Sequence, residues 1–230
     1  MPDGEILQKR IRDLCGERGA EMVGFADLNR LDFPGQKDPG GLLPDCSSAV
    51  SFGIHLNGGS LLNLPETRNS YMMEFRQVNH RLNSINYDIC TLLENNGYRA
   101  IGAPGTASTG VEENLAADIS HKHLAVQAGL GGFGLNNLVL TKEYGPAVRF
   151  STVITTADFK ADAARSSGTH CHECQSCVKA CPVDALSDWQ DSYSPAEGWP
   201  MDKEACYHHI FVRLNGQRCG LCIKACPQTG

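Results

Sequence analysis

Eight of the chain's eleven cysteines fall within its last sixty residues, in two runs with a shared spacing. The first is Cys171-x₂-Cys174-x₂-Cys177-x₃-Cys181-Pro182; the second is Cys206, then Cys219-x₂-Cys222-x₃-Cys226-Pro227. This is the spacing of ligands to a pair of cubane iron–sulfur clusters, in which three cysteines of a run wrap one cluster and the fourth, before the proline, reaches the other. The rule gives Cys171, Cys174, Cys177 and Cys226 to cluster A, and Cys181, Cys219 and Cys222 to cluster B. A regular second run would place the missing ligand at Gly216, so Cys206, ten residues upstream, is the substitute. The chemistry implied is one-electron transfer at low potential. Zinc also uses paired C-x₂-C knuckles, but it gains nothing from a third cysteine at x₂ or from the Cys-Pro ending.

Other residue types set bounds. A formal net charge of −6 without a block of Lys and Arg is a poor match to a phosphate-tracking surface, so nucleic acid is not expected as a partner. The N-terminus shows no signal-peptide pattern and no run reaches the length of a membrane span. A cytoplasmic protein without a membrane partner is the expectation. Cys15, Cys46 and Cys90 read as buried small hydrophobes. His170, His172, His208 and His209 flank cluster cysteines and read as neighbours or solvent groups, since the ligand count is already complete.

The elements that must position these groups follow from periodicity. Leu7, Ile11, Leu14 and Cys15 share a helical face that ends at Gly16 and Gly19; Met22–Ala26 and Ser48–Ile54 read as strands, and the Pro- and Gly-rich stretch from Leu31 to Pro44 as loop. A long helix runs from about Ser70 to Asn96, capped by Asn69 or Ser70 and stopped by Gly97, with a strand from Tyr98 to Gly102 after it. The segment Ala103–Ala117 is rich in small residues, Ser120 caps a short helix to Gly129, Val148–Thr155 is a last strand, and Ala157–Thr169 is a polar linker. The alternation predicts an α/β or α+β layer fold.

Between the short helix and the last strand lies Gly129-Leu130-Gly131-Gly132-Phe133-Gly134. Its G-x-G-x-x-G spacing is not a dinucleotide fingerprint, because it closes a helix instead of opening one. Two readings stay open: a helix C-cap with a tight turn, or backbone lying close against a flat cofactor.

The stretch Ser120–Gly131, continued by Gly134, Thr141–Pro146 and Val148-Arg149, resembles the reductive dehalogenase and epoxyqueuosine reductase superfamily. So does the tail, with its isolated cysteine before the last C-x₂-C-x₃-C-P. The resemblance implies a nitroreductase-like α/β core over residues 1–165 that holds base-off cobalamin, and a two-cluster ferredoxin-like domain over residues 166–230 that supplies electrons. It implies cofactor contacts at Ser120, His121, Gly129, Leu130, Gly131, Gly134 and Asn136, with the corrinoid between the glycine segment and the loop Ala103–Ala117. Proton-donor candidates are Asp118, His121, His123, Tyr71 and Tyr144. The expected partners are a low-potential donor of ferredoxin or flavodoxin type and a small substrate, or the corrinoid itself. FMN in the same core, or an electron carrier with no cofactor beyond the clusters, are the alternatives. Three departures stand out: Leu135 follows Gly134 where many members carry Lys or Arg, the sequence ends at Gly230 without the helical repeats by which epoxyqueuosine reductases grip tRNA, and it begins without a twin-arginine leader.

Overall fold

The computed structural model describes residues 4–30, 38–106, 117–162, 171–186, 193 and 198–229. They form an α+β fold of two compact units that interleave along the sequence. The first comprises Met1–His55, Val78–Leu130 and Arg149–Ser166; the second comprises Leu56–Gln77, Gly131–Val148 and Ser167–Gly230. The second unit includes two segments, 56–77 and 131–148, that come before its last stretch from Ser167.

The first unit is built on a four-stranded sheet in the order β1 (Met22–Asp27), β2 (Ser48–His55), β6 (Val148–Thr155), β3 (Ala100–Ala103). β1 runs antiparallel to β2 and β3 antiparallel to β6. β2 and β6 are central and buried almost throughout, Ser48, Ser51, Ser151, Thr152 and Thr155 included. Helix α1 (Gly4–Glu17) buries Leu7, Ile11 and Cys15, the face predicted for it. Leu82, Ile85, Ile89 and Leu93 of α3 (Asn69–Glu94) are buried at three- and four-residue intervals. Helix α4 (His121–Gln127) starts at Ser120, whose side chain accepts from His123 N, and buries Leu124 and Ala125 among Ala26, Leu28, Ala49 and Ile154.

Two local expectations need correction. The stretch expected to be loop up to Pro44 contains a one-turn helix, α2 (Pro39–Leu42), because Asp38 accepts from Gly40 N and Pro39 supplies a helix-ready φ at the first position. The expected linker from Ala157 is ordered through Asp162. Ala157 and Phe159 are buried, and Phe159 packs edge-on to Phe25 with ring centroids 5.1 Å apart. Asp162 takes both oxygens to Arg12 Nη2 at 2.8 and 2.7 Å, while Arg12 Nη1 donates to Val23 O at 2.7 Å. Of the three extra cysteines, Cys15 is fully buried and pushed up to about 12 by that burial, as an inert apolar group would be. Burial likewise raises Cys46, and raises Cys90 to about 11.

The second unit has little regular structure. Its elements are the hairpin β4 (Gly132–Phe133) and β5 (Val139–Leu140), then α5 (Ser176–Lys179), α6 (Lys203–His208) continued by a π-helical turn over His209–Arg213, and α7 (Leu221–Lys224).

Candidate iron–sulfur centre

All eight cysteines of the two runs lie in the second unit, and none of them is in a disulfide. Each C-x₂-C-x₃-C-P stretch makes the same turn. Gln175, between Cys174 and Cys177, has φ 61° and ψ 9° and opens α5; Gly220, between Cys219 and Cys222, has φ 72° and ψ −2° and opens α7. The left-handed residue reverses the chain so that both cysteines of the pair face one side, and the short helix carries the next cysteine to its own end. Lys179 and Lys224 occupy equivalent places in the two repeats.

Four of the thiols share one cavity, and others crowd Cys222. Cys171, Cys174, Cys177 and Cys226 line one cavity together with Leu135, Asn136 and Leu140 of the hairpin. Burial pushes Cys177 up to about 11, and the neighbouring Cys171 and Cys226 push it further in the same direction. Burial also raises Cys226, with Cys174 and Cys171 adding to the effect. Burial, then Cys219, Cys206, Cys177 and Cys181, push Cys222 up to about 12, so Cys177 of the first four also lies among its neighbours. The partners that Cys222 senses include the three assigned with it to cluster B, Cys206 among them. Crowded thiols that hold one another protonated are the donor set a multinuclear cation relieves, since metal binding takes up thiolates and releases protons. No three His, Cys, Asp or Glu side chains among the described residues converge as ligands of a single ion. A cubane does not ask for that, because each cysteine meets a different iron.

Hydrogen bonds and packing complete the surroundings. Ala185 N donates to Cys181 Sγ at 3.3 Å, and Cys174 Sγ donates to Ser176 Oγ at 3.4 Å. Leu135 and Leu186 are buried with Cys177, and Trp199 and Met201 pack against them. Trp199 Nε1 donates to Phe133 O at 3.4 Å, so the hairpin is part of the cysteine module. On the other side, Arg68 Nη1 donates to the carbonyls of Cys219 (2.6 Å) and Arg218 (3.3 Å). Arg68 and Trp199 were not singled out from the sequence. Arg68 lies 151 positions from Cys219, and no spacing rule reaches that far.

The cofactor contacts expected from resemblance divide between the units: Ser120, His121, Gly129 and Leu130 belong to the first, Gly131, Gly134 and Asn136 to the second. Gly129 has φ +75° and closes α4, with Leu130 N on Ala125 O at 2.9 Å. A Cβ on Gly131 would meet Leu140 O at 2.4 Å, and one on Gly134 would meet Leu140 Cδ1 at 2.3 Å. Helix cap and hairpin packing therefore account for these glycines. Asn136 Oδ1 accepts from Leu138 N. His121 has both ring nitrogens engaged, Nδ1 with Thr152 Oγ1 at 3.0 Å and Nε2 with Pro104 O at 2.8 Å, and burial lowers its pKa. A carbonyl can only accept, so Nε2 carries the proton and the ring is neutral. His123 Nδ1 meets Ser120 Oγ at 2.6 Å. Tyr71 is buried in the second unit, within reach of a Cβ on Gly220; Tyr144 N is bound by Thr141 Oγ1; Asp118 is exposed. Of the loop expected to face a corrinoid, residues 107–116 lie outside the described residues.

Residues 170–229 match the family of 4Fe-4S dicluster domains. The tetrachloroethene reductive dehalogenase of Desulfitobacterium hafniense is 33% identical over 154 residues, 61% of this chain and 26% of that protein. The epoxyqueuosine reductase of Listeria monocytogenes is 39% identical over 69 residues, 30% of this chain and 18% of that one. The chain is thus similar to proteins of two kinds, reductive dehalogenases and epoxyqueuosine reductases. It spans about a quarter of the length of the dehalogenase it matches. Solved structures of both branches share the fold. A reductive dehalogenase whose structure suggests a mechanism for B12-dependent dehalogenation superposes with a TM-score of 0.73 at 19% identity, covering 96% of this chain and 31% of that one. An epoxyqueuosine reductase solved with a tRNA stem loop superposes with a TM-score of 0.64 at 20% identity, covering 99% and 66%. With a tRNA-bound relative of this fold, the expectation that excludes nucleic acid is without support. Among the described residues no helix is long and apolar enough to cross a membrane.

Proposed function

We propose that this iron–sulfur oxidoreductase takes electrons singly from a low-potential donor of ferredoxin or flavodoxin type and passes them through two [4Fe–4S] clusters to a base-off corrinoid. The electrons would serve the reduction of a small substrate or of the corrinoid itself. In this reading residues 1–165 hold the corrinoid and residues 166–230 hold the clusters. The observation that carries it is that Cys171, Cys174, Cys177 and Cys226, the four that the ligand-crossing rule joins, line one cavity, while Cys181, Cys206 and Cys219 lie near Cys222 in the same unit. The B12-dependent relative of the same fold supports the corrinoid.

When bound, a corrinoid supplies a cobalt centre that becomes a strong nucleophile and reductant at its lowest oxidation level. The chain's own residues have simpler tasks. Cys171, Cys174, Cys177 and Cys226 hold cluster A, and Cys181, Cys206, Cys219 and Cys222 hold cluster B. Leu135, Leu186 and Trp199 keep water from Cys177, the buried member of the first set. Ser120, His121, Gly129, Leu130, Gly131, Gly134 and Asn136 are the proposed cofactor contacts; the glycines among them are already accounted for by packing, so the corrinoid assignment rests on the relatives. Asp118 is exposed and is the proposed proton donor ahead of His121, whose only ring proton is committed to the Pro104 carbonyl.

Absorbance spectra of anaerobically purified protein, with and without hydroxocobalamin or FMN, test the reading. The expected result is a broad cluster band near that of two-cluster ferredoxins and a base-on to base-off change on adding cobalamin. A flavin spectrum that shifts on binding, with cobalamin unchanged, replaces the corrinoid by FMN. No change with either leaves a cluster-only electron carrier.

A further inference from the structure

Resting on the reading of two [4Fe–4S] clusters, we propose that Arg68 makes them unequal: its buried guanidinium, seated on the Cys219 carbonyl, raises the reduction potential of cluster B, so that B is the first of the pair to accept an electron.

The two ligand runs are close to a controlled comparison. Cys174-Gln-Ser-Cys177-Val-Lys-Ala-Cys181-Pro and Cys219-Gly-Leu-Cys222-Ile-Lys-Ala-Cys226-Pro share their spacing, their left-handed turn and their short helix. With four cysteines each and the C-x₂-C-x₃-C-P backbone alike, apart from Cys206 in place of a regular ligand, a difference in potential comes chiefly from the surroundings, through nearby charge, hydrogen bonds to sulfur and access of water. Around Cys177 those surroundings are apolar, Leu135, Leu186, Trp199 and Met201, a group that also packs against Cys181 and Cys222. Lys179, a cation that acts on Cys174, is exposed, and water screens it.

Around Cys219 they are cationic. Arg68 is only 9% exposed, and it bonds the Cys219 carbonyl at 2.6 Å and the Arg218 carbonyl at 3.3 Å. Arg218 is half withdrawn from water, its guanidinium 4.9 Å from the ring centres of both Phe75 and Phe211. Glu74, a buried carboxylate of the same unit, is turned to Asn57, accepting from its N and Nδ2 at 2.9 and 2.8 Å. Reduction places one more negative charge on a cluster that is already anionic with its four thiolates. A buried positive charge stabilises the reduced form more than the oxidised one, and low local dielectric magnifies the difference. The step itself is a single electron passed from an external one-electron donor to the cluster; no bond breaks and no proton moves.

The test is a redox titration with dithionite, followed by electron paramagnetic resonance, on the anaerobic full chain and on Arg68→Gln, Arg68→Lys and Arg218→Gln. The cluster B signal is assigned as the one altered in Cys206→Ser, and iron analysis reports how many clusters each variant holds. In Arg68→Gln the B midpoint should fall by at least a tenfold change in its equilibrium, about 59 mV for one electron, with A unmoved. Arg68→Lys, which keeps the charge and loses the fork, should retain most of the native value. Native midpoints in Arg68→Gln, equal shifts of both clusters, or a Lys variant displaced as far as Gln would each overturn the proposal. Should Arg68→Gln lose a cluster, Arg218→Gln decides: a fall confined to B supports the charge effect, and none refutes it. Native protein holding fewer than two clusters would instead defeat the underlying reading.

Discussion

Cys206 stands in the middle of α6, a helix opened by Asp202, whose side chain accepts from Ala205 N at 2.8 Å. Its thiol is one of four that press on Cys222, alongside Cys219, Cys177 and Cys181. Gly216, the place where a regular run would have its cysteine, has φ +80° and closes the π-helical turn with its N–H on Ile210 O. A cysteine there would carry the strain of a left-handed backbone, which glycine does not. We therefore expect Cys206→Ala to lose or convert one cluster only, with iron falling from about eight per chain and one of two reduced-state resonance signals unchanged. Two intact cubanes in this variant would remove Cys206 from the ligand set. Ligand spacing was legible at this scale because a metal centre reads cysteines that are close in sequence. Arg68 and Trp199 reach the same module from afar, and nothing local to them announces it.

Among the elements, the strands and the amphipathic helices were legible because burial imposes a pattern on them, and β6 occupies the expected range Val148–Thr155. The β4–β5 hairpin was not. Its strands have two residues each, too few for a period, and its glycines could equally have faced a cofactor. They face the hairpin itself: Gly132 pairs with Leu140 and Phe133 with Val139, and Gly131 lies against the Leu140 carbonyl. Gly131→Val consequently cannot serve as a clean probe of cofactor binding. We expect it to destabilise the native state by about 1–3 kcal/mol through overpacking, read as a lower midpoint in urea. Gly41→Ala is the matched control, since nothing lies within 4 Å of a Cβ at that helical position and its stability should be native or slightly higher. Equal midpoints for both variants would show that the hairpin tolerates the extra bulk.

For the whole molecule the telling feature is that the second unit is assembled from three separated segments, 56–77, 131–148 and 167–230. Sequence composition reveals the last, where the cysteines are, and hides the other two, whose membership depends on long-range contacts such as Lys224 Nζ on the carbonyls of Leu62 and Leu64. A unit with so little regular structure gains much of its folding free energy from its metal centres, as small cysteine-rich modules do. Removing the clusters by chelation under air should therefore loosen all three segments, whereas the sheet and helices of the first unit keep a core that contains no metal ligand. Limited proteolysis with the cut sites mapped by mass spectrometry checks this. Cuts should appear in 131–148 and around Leu62 as well as within 171–229, while 78–106 and 149–162 resist. Cuts confined to 171–229, with the hairpin intact, would mean that the hairpin folds independently of the clusters and that the two earlier segments take no stability from the metal.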